Sequence, residues 1–227
     1  MGNKNAAGSA RETAYRMIRS RIINLALKPN DNLNDKDLAD ELGMSRTPVR
    51  EAVLMLNLEN LVVVRPQSGT FVAPIDLEMV EVEQYGRYVM EKEMAYDACR
   101  KEREPYRRTY GENLYLCRFY ENSMVPDRAA RILEMDNAFH RIVFTINGKD
   151  QFYDWMMNSF QHIERLRVLS LQMKLDQEID NDHAEIVTAI LGGDAPRAGK
   201  AIHRHLIRYQ DHVHIIRKHY PEYFKEE

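Results

Sequence analysis

Hydrophobic residues recur at helical spacing near the start of the chain, and they predict three successive helices. The first covers residues 11–27, the second begins with Asp35 as its predicted N-cap, and the third begins at Ser45. The apolar side of the second helix consists of Leu38, Ala39 and Leu42, and that of the third of Val49, Ala52, Val53 and Leu56. Gly43 tolerates the positive φ of a helix end, so the second and third helices form a helix-turn-helix.

Two short β patterns follow this helix pair. Residues 61–64 are rich in β-branched side chains, residues 66–69 have the composition of a turn, and residues 70–72 form a second short strand. Asn60 precedes the first strand and tolerates the left-handed conformation of a helix end. A hairpin directly after a helix-turn-helix has the position of a wing, so residues 11–74 are predicted to be a winged helix-turn-helix domain.

The first turn of the third helix carries side chains suited to DNA. Arg46, Thr47 and Arg50 project from the side opposite the apolar stripe, and Ser45 adds a hydroxyl at the cap position. A helix whose N-terminal end presents a hydroxyl and two arginines fits the major groove of DNA. The alternative is a packing unit that does not bind DNA, and the basic outward face of the helix argues against it.

The chain after residue 75 has helical periodicity throughout and no strand pattern. Six helices are predicted, at about residues 77–102, 105–122, 127–147, 150–174, 178–192 and 194–219. Short connections between them favour an antiparallel bundle. The predicted fold is therefore mainly α, with an N-terminal winged helix-turn-helix and a C-terminal all-α antiparallel helical bundle at residues 75–227. Residues 1–10 are small and polar and are predicted to be disordered.

The distribution of charge and cysteine adds to this picture. The 227 residues are 44% hydrophobic and 30% charged, with a net charge of −3. Residues 1–74 contain 10 Lys and Arg against 8 Asp and Glu, so attraction to phosphate must come from local placement. Cys99 and Cys117 are too few for a disulfide framework and predict free thiols in a reducing cytoplasm. The chain has no apolar run of membrane length, so we expect a cytoplasmic protein without a membrane partner.

A set of metal-binding residue types lies on the inward faces of the predicted bundle. Asp136 and His140 share one apolar helical face, and His183 and His205 lie on the apolar stripes of two later helices. A buried carboxylate needs a cationic partner, and one carboxylate with three imidazoles suits Zn²⁺, Ni²⁺ or Mn²⁺. The alternative is four separate core residues, each hydrogen-bonded locally. His162 also shares an apolar stripe, and the sequence does not decide whether it joins the site.

The helix-turn-helix and wing resemble the winged-helix domain of GntR-type bacterial regulators. The resemblance rests on SRTPVREA at residues 45–52, on Leu61-Val62 and on GTFV at residues 69–72. It covers about residues 10–74 and implies DNA contacts from Arg46, Thr47 and Arg50, with Lys36 near the DNA backbone and Gly69 at the wing tip. The chain departs from the family at Asn60, where Gly is usual, and in a wing turn that is less basic than usual.

The resemblance extends into the helical part of the chain. The spacing of Asp136, His140, His183 and His205 is similar to the metal-binding pattern of the FCD (FadR C-terminal) domain, and six helices match its shorter, VanR-like variant. That family uses the metal to anchor a small carboxylate effector, and Arg87 and Arg167 match arginines that line the effector cavity. Alternatively, these two arginines form salt bridges with Glu91 or Glu164.

These patterns favour a homodimeric transcription regulator. It would bind a palindromic double-stranded operator, and a small carboxylic acid at the metal site would change its DNA affinity. The alternatives are a metal-responsive regulator, in which the ion is the signal, and a metal-dependent hydrolase with Glu134 or Glu185 as base. Neither glutamate shares the inward stripe of its neighbouring ligand, so we expect no enzyme. Repressor and activator both remain open, and the sequence names neither effector, metal nor operator.

Overall fold

The computed structural model describes residues 3–175 and 179–226. The chain divides into two compact units, one of residues 1–77 with residues 219–227 and one of residues 78–218. The first contains a helix-turn-helix and a two-stranded sheet, and the second contains helices, so the predicted fold class is confirmed. Both cysteines are buried, and neither forms a disulfide bond within the described residues. Within the described residues, no helix has the length and apolar character needed to cross a membrane.

The first unit has the predicted order of elements. These are α1 (Asn3–Ile23), α2 (Asp35–Leu42), α3 (Arg46–Leu58), β1 (Val62–Arg65) and β2 (Gly69–Val72). Helix α1 begins upstream of the predicted start at residue 11, so part of the segment expected to be disordered is helical. Residues 6, 7 and 10 are alanines, the best helix formers, and extending an existing helix costs little. The apolar faces of the three helices meet in one core with Leu61, Val62 and Val72.

The caps of the helix-turn-helix differ in part from the prediction. The N-cap of α2 is Asn34, whose side-chain oxygen accepts hydrogen bonds from the backbone N–H groups of Lys36 and Asp37. Asp35, the predicted cap, is the first helical residue. Gly43 ends α2 with a φ of 64°, as predicted. Ser45 occupies the N-cap position of α3, but its hydroxyl makes no capping hydrogen bond.

Residues from outside the wing pair with it. Strands β1 and β2 form an antiparallel hairpin in which Arg65 is opposite Gly69. The backbone N–H of Leu33 donates to the Thr70 carbonyl at 2.7 Å, which adds the segment before α2 to the sheet. The C-terminal segment of the chain belongs to the same unit as the wing. There, the Ile75 N–H donates to the Tyr223 carbonyl at 2.8 Å.

The second unit is built from eight α-helices among the described residues. They are α4 (Leu77–Ala98), α5 (Arg107–Glu121), α6 (Arg128–Ile146), α7 (Asp150–Ser159), α8 (His162–Gln172), α9 (Ile179–Gly192), α10 (Ala195–Ile207) and α11 (Tyr209–His219). Helix α9 packs beside α10, α5 beside α6, and α6 beside α8. The predicted start of the fifth helix at residue 178 lies outside the described residues.

Two of the six predicted helices are each broken into two. The helix predicted at 150–174 is interrupted at Phe160, which has extended backbone, and the one at 194–219 turns at Arg208. No Gly or Pro marks either break, so the sequence pattern runs through them. A residue of α4 stabilises the N-terminal end of α8, because the Glu83 carboxylate accepts a hydrogen bond from the Ile163 N–H at 2.9 Å. Tertiary contacts therefore set these boundaries.

Candidate functional site

The structure brings the four predicted metal-binding residues together. Asp136 and His140 come from α6, His183 from α9 and His205 from α10, and one ligand atom from each lies within 4.8 Å of the others. The Nε2 atom of His183 is 3.1 Å from Asp136 Oδ1, and the Nε2 atoms of His140 and His205 are 3.1 Å apart. Neighbouring ligand atoms that are each about 2.1 Å from an ion are separated by about 3.0–3.4 Å, so the two 3.1 Å spacings fit a single ion, while the widest spacing in the cluster must shorten when an ion binds.

A buried glutamate fixes the orientation of His140. The Nδ1 atom of His140 is 2.6 Å from Glu91 Oε2, and Glu91 also accepts a hydrogen bond from Arg87 Nε at 2.5 Å. Burial raises the pKa of Glu91, but Arg87 and His140 outweigh this effect and lower it to about 2. Because an ionised carboxylate only accepts, the His140 proton resides on Nδ1 and the Nε2 lone pair faces the cluster. Sequence reasoning treated Glu91 only as a partner of Arg87.

An aspartate, Asp182, lies against the ring nitrogen of His205 that faces away from the cluster. The Nδ1 atom of His205 is 3.5 Å from Asp182 Oδ2, and Asp182 also accepts a hydrogen bond from Arg208 Nε at 3.0 Å. Burial lowers the pKa of His140, and it lowers that of His183 to about 3, so these two imidazoles are neutral. The Nε2 atoms of His140 and His205 are 3.1 Å apart, and His140 presents its Nε2 lone pair to this contact. In one tautomer His205 donates a hydrogen bond from Nε2 to His140; in the other, with its proton on Nδ1 toward Asp182, both Nε2 lone pairs are available to a cation.

Asp136 supplies the negative charge of the cluster. Burial opposes its ionisation, but Arg167, His140 and His183 outweigh burial and hold its pKa well below the ordinary value. Arg167 forms an ion pair with Asp136 and another with Glu164. The carboxylate is therefore ionised and available as an oxygen ligand, while one of its oxygens is shared with a guanidinium. An Asp-His-His-His set suits Zn²⁺, Ni²⁺ or Mn²⁺.

A small cavity of about 60 Å³ opens beside the cluster, which is room for a few heavy atoms. Its polar side includes Arg87, Asp136, Arg167 and His205, the apolar remainder being formed by residues such as Ile163, Leu166, Leu171, Ile179 and Ile216. Both predicted effector arginines thus line one cavity, and both also make the alternative salt bridges. Arg87 Nη2 is buried and has no hydrogen-bond partner among the described residues.

One residue at this cavity was missed by the sequence analysis. His212 is half-buried, lines the cavity and lies with its Nδ1 atom 2.9 Å from Ser170 Oγ. The break at Arg208 starts a new helix, so the stripe extrapolated from α10 does not apply to α11. His162 contacts Arg165 Nη2 at 3.0 Å through Nδ1 and, within the described part of the chain, is not a member of the cluster.

The predicted DNA-binding residues lie on the surface of the first unit. All six are exposed, namely Lys36, Ser45, Arg46, Thr47, Arg50 and Gly69. Throughout residues 3–175 and 179–226, no acidic side chain is within ion-pairing distance of Arg46 or Arg50. Both guanidinium groups are therefore free to meet phosphates or base edges.

Comparison with known proteins agrees with this architecture. Residues 10–72 match the description of bacterial regulatory proteins of the gntR family, and residues 78–208 match the FCD domain. The chain is 32% identical over 219 residues to an uncharacterized HTH-type transcriptional regulator in an unstable DNA locus of Streptomyces ambofaciens, covering 94% of this chain and 89% of the relative. It is 26% identical to the HTH-type transcriptional repressor RspR of Escherichia coli K12, over 98% of this chain and 97% of the relative.

Solved structures show the same fold. A putative transcriptional regulator GntR from Rhodococcus sp. RHA1 superposes with a TM-score of 0.70 at 21% identity, covering 92% of this chain and 97% of that one. E. coli McbR/YncC superposes with a TM-score of 0.71 at 18% identity, covering 93% of this chain and 98% of that one. The family matches and the 32% identical relative identify the molecule as a DNA-binding transcription regulator and not an enzyme. It belongs to the GntR family of bacterial regulators and carries an FCD domain.

Proposed function

We propose that this regulator holds a divalent metal ion at Asp136, His140, His183 and His205, and that a small carboxylic acid bound beside the ion changes its affinity for operator DNA. The observation that carries the proposal is the convergence of these four side chains, with one ligand atom from each within 4.8 Å of the others and the Nε2 lone pair of His140 turned inward by Glu91. When bound, the ion supplies positive charge and open coordination positions for a carboxylate.

The cavity favours a separate effector over the ion as the signal. Arg87 is 2% exposed, and its Nε is paired with Glu91 while its Nη2 is buried without a hydrogen-bond partner in the described structure. A buried donor of this kind costs free energy until a ligand satisfies it, and a carboxylate fits a guanidinium. Arg167 offers a second guanidinium at the same cavity. The metal and the arginines together favour a small anion with a short apolar body.

Substitution of Arg87 by Lys tests the effector contact. Lys keeps a positive charge beside Glu91 but cannot present the planar pair of donors, so we expect normal metal content and at least about tenfold weaker acid binding. Calorimetric titration of the metal-loaded protein with a panel of small carboxylic acids measures the second quantity, and elemental analysis the first. Arg141→Lys is the matched control, since Arg141 pairs with Asp154 on the outside of the same unit. Unchanged acid binding in Arg87→Lys would refute the contact.

We propose further that the protein acts as a homodimer through the outer face of α4. Met79, Val82, Tyr85 and Val89 are exposed at helical spacing, with Val82 63% and Tyr85 70% exposed. A groove beside them, lined by residues that include Tyr88 and Ile207, offers a place for side chains of a second copy. A dimer doubles the DNA contacts of a single winged domain and matches a palindromic operator.

Introducing a charge on this face should weaken the dimer. Val82→Glu would bury a carboxylate in a self-contacting interface, so we expect the dimer dissociation constant to rise by at least about tenfold. Sedimentation equilibrium of the full chain measures it. Tyr115→Glu provides the comparison, because Tyr115 is 69% exposed on α5 of the same unit. If Tyr115→Glu dissociates the dimer and Val82→Glu does not, the interface lies on α5 instead.

A further inference from the structure

Arg65 is the only lysine or arginine in the wing, residues 62–72. Its side chain is exposed at the end of β1, opposite Gly69. The guanidinium carbon lies 4.7 Å from the centre of the Phe71 ring, and Nη2 donates a hydrogen bond to the side-chain oxygen of Asn30 at 2.9 Å. Two contacts of different kinds therefore restrict a long side chain that would otherwise sample many rotamers.

Asn30 is itself held on both sides. Its backbone has a φ of 68°, and its N–H donates to the Val72 carbonyl of β2 at 2.9 Å. Its side-chain nitrogen donates to the carbonyl of Glu222 at 2.8 Å, while its side-chain oxygen accepts from Arg65. Because each end of the amide has its own partner, the amide has one satisfied orientation.

The end of the chain fixes the Glu222 carbonyl. Tyr223 and Phe224 are buried, and the N–H of Lys225 donates to the Ile75 carbonyl at 2.9 Å. Lys225 also pairs with Asp76 at 2.7 Å through its Nζ atom. Residues 221–225, here named the C-terminal tail, are thus a built part of the DNA-binding unit.

We propose that the C-terminal tail is a positioning element for DNA binding. It holds Asn30, Asn30 holds Arg65, and Arg65 contacts a phosphate of the bound duplex. The wing turn contains Gln67 and Ser68, which carry no charge, so Arg65 supplies the positive charge that this part of the surface needs to approach DNA.

The first experiment tests the contact with DNA. A short duplex is selected from a random library by the wild-type protein, and its affinity is measured over a series of salt concentrations. Arg65→Ala should weaken binding about five- to tenfold and lower the slope of log affinity against log salt by about one, as expected for one lost phosphate contact. Arg65→Lys should restore the slope, and Arg108→Ala, an exposed arginine of the other unit, should change neither quantity. An unchanged affinity and slope in Arg65→Ala would overturn the proposal.

The second experiment tests the role of Asn30 by a double-mutant cycle with Arg65→Ala. Asn30→Gly removes the amide and tolerates the positive φ, so the backbone is not strained. It should weaken binding about threefold in the wild-type chain and have no effect when Arg65 is already Ala. Asn60→Gly is the matched control, since Asn60 has a φ of 59° and is exposed. Equal losses in both backgrounds would show that Asn30 does not act through Arg65.

A chain that ends at Tyr220 removes the C-terminal tail and completes the test. Its loss of affinity should equal or exceed that of Asn30→Gly and should shrink in the Arg65→Ala background. Thermal unfolding followed by circular dichroism establishes that the shortened chain is folded. If the chain is folded and binds DNA like wild type, the tail has no positioning role. If it does not fold, the Asn30 cycle decides the proposal.

Discussion

Replacing His183 or His205 by Ala is expected to lower the metal content of the protein and to abolish its response to the effector, while effector-free DNA binding stays largely intact. Each histidine is one of the four proposed ligands, and removing even an outer-shell partner of a metal ligand costs about 10–100-fold in affinity, so the loss should reach at least about 100-fold. DNA binding should persist because the predicted DNA contacts are all in the other unit. Elemental analysis beside DNA titration, with and without a panel of small carboxylic acids, measures both effects.

Controls for this experiment come from the same helix and the same residue type. His203→Ala is the matched variant on α10, because His203 is exposed and contacts Tyr88 edge to face, away from the cluster. It should keep both the metal and the response. Full metal content in both His183→Ala and His205→Ala would exclude the proposed site. Loss of metal with an unchanged effector response would keep the site and assign it a structural role.

Replacing Arg46 or Arg50 by Ala should each weaken specific DNA binding by about 1–3 kcal/mol, the usual range for a base or close phosphate contact. Both side chains are exposed at the start of α3 and are not engaged by acidic groups in the described structure, so little stability depends on them. The affinity for the selected duplex measures the loss, and circular dichroism should show unchanged helical content.

Arg100→Ala is the control for the loss of one positive charge anywhere on the protein. Its side chain is 74% exposed in the other unit, where it lies 3.7 Å from Asp97, so its removal should not affect DNA binding. The assignment of α3 as the recognition helix is wrong if Arg46→Ala and Arg50→Ala both bind the duplex like wild type. If the variants bind a random duplex and the selected duplex with the same weak affinity, the lost contacts are base-specific.

The winged domain was largely predictable because its determinants are local. Gly43 ends α2 with the required positive φ, Asn60 has a left-handed conformation, and Val49, Ala52, Val53 and Leu56 are buried as their spacing predicts. Capping was less predictable, since Asn34 and Asp35 are adjacent and have equal preference for the N-cap. The hydrogen-bond geometry of the fold selects between such neighbours.

The sequence pointed to the four candidate metal-binding residues but not to the acidic residues that orient two of them. Asp136 and His140 are on one helix at i and i+4, and His183 and His205 lie on apolar stripes, so periodicity alone turns all four inward. Glu91 and Asp182, which orient His140 and His205, come from other helices or from positions without a motif. Their roles depend on which helices are neighbours, which a helical pattern does not encode.

The sequence by itself determined the two-part architecture, the helix-turn-helix with its basic face, and the inward set of one aspartate and three histidines. These features follow from spacing within single elements, where each residue fixes the direction of its neighbours. The tertiary structure decided the breaks at Phe160 and Arg208, the partners of the histidines, and the return of the C-terminal tail to Ile75 and Asn30. Those features depend on contacts between residues that are distant in the chain, and such contacts form only once the elements have packed.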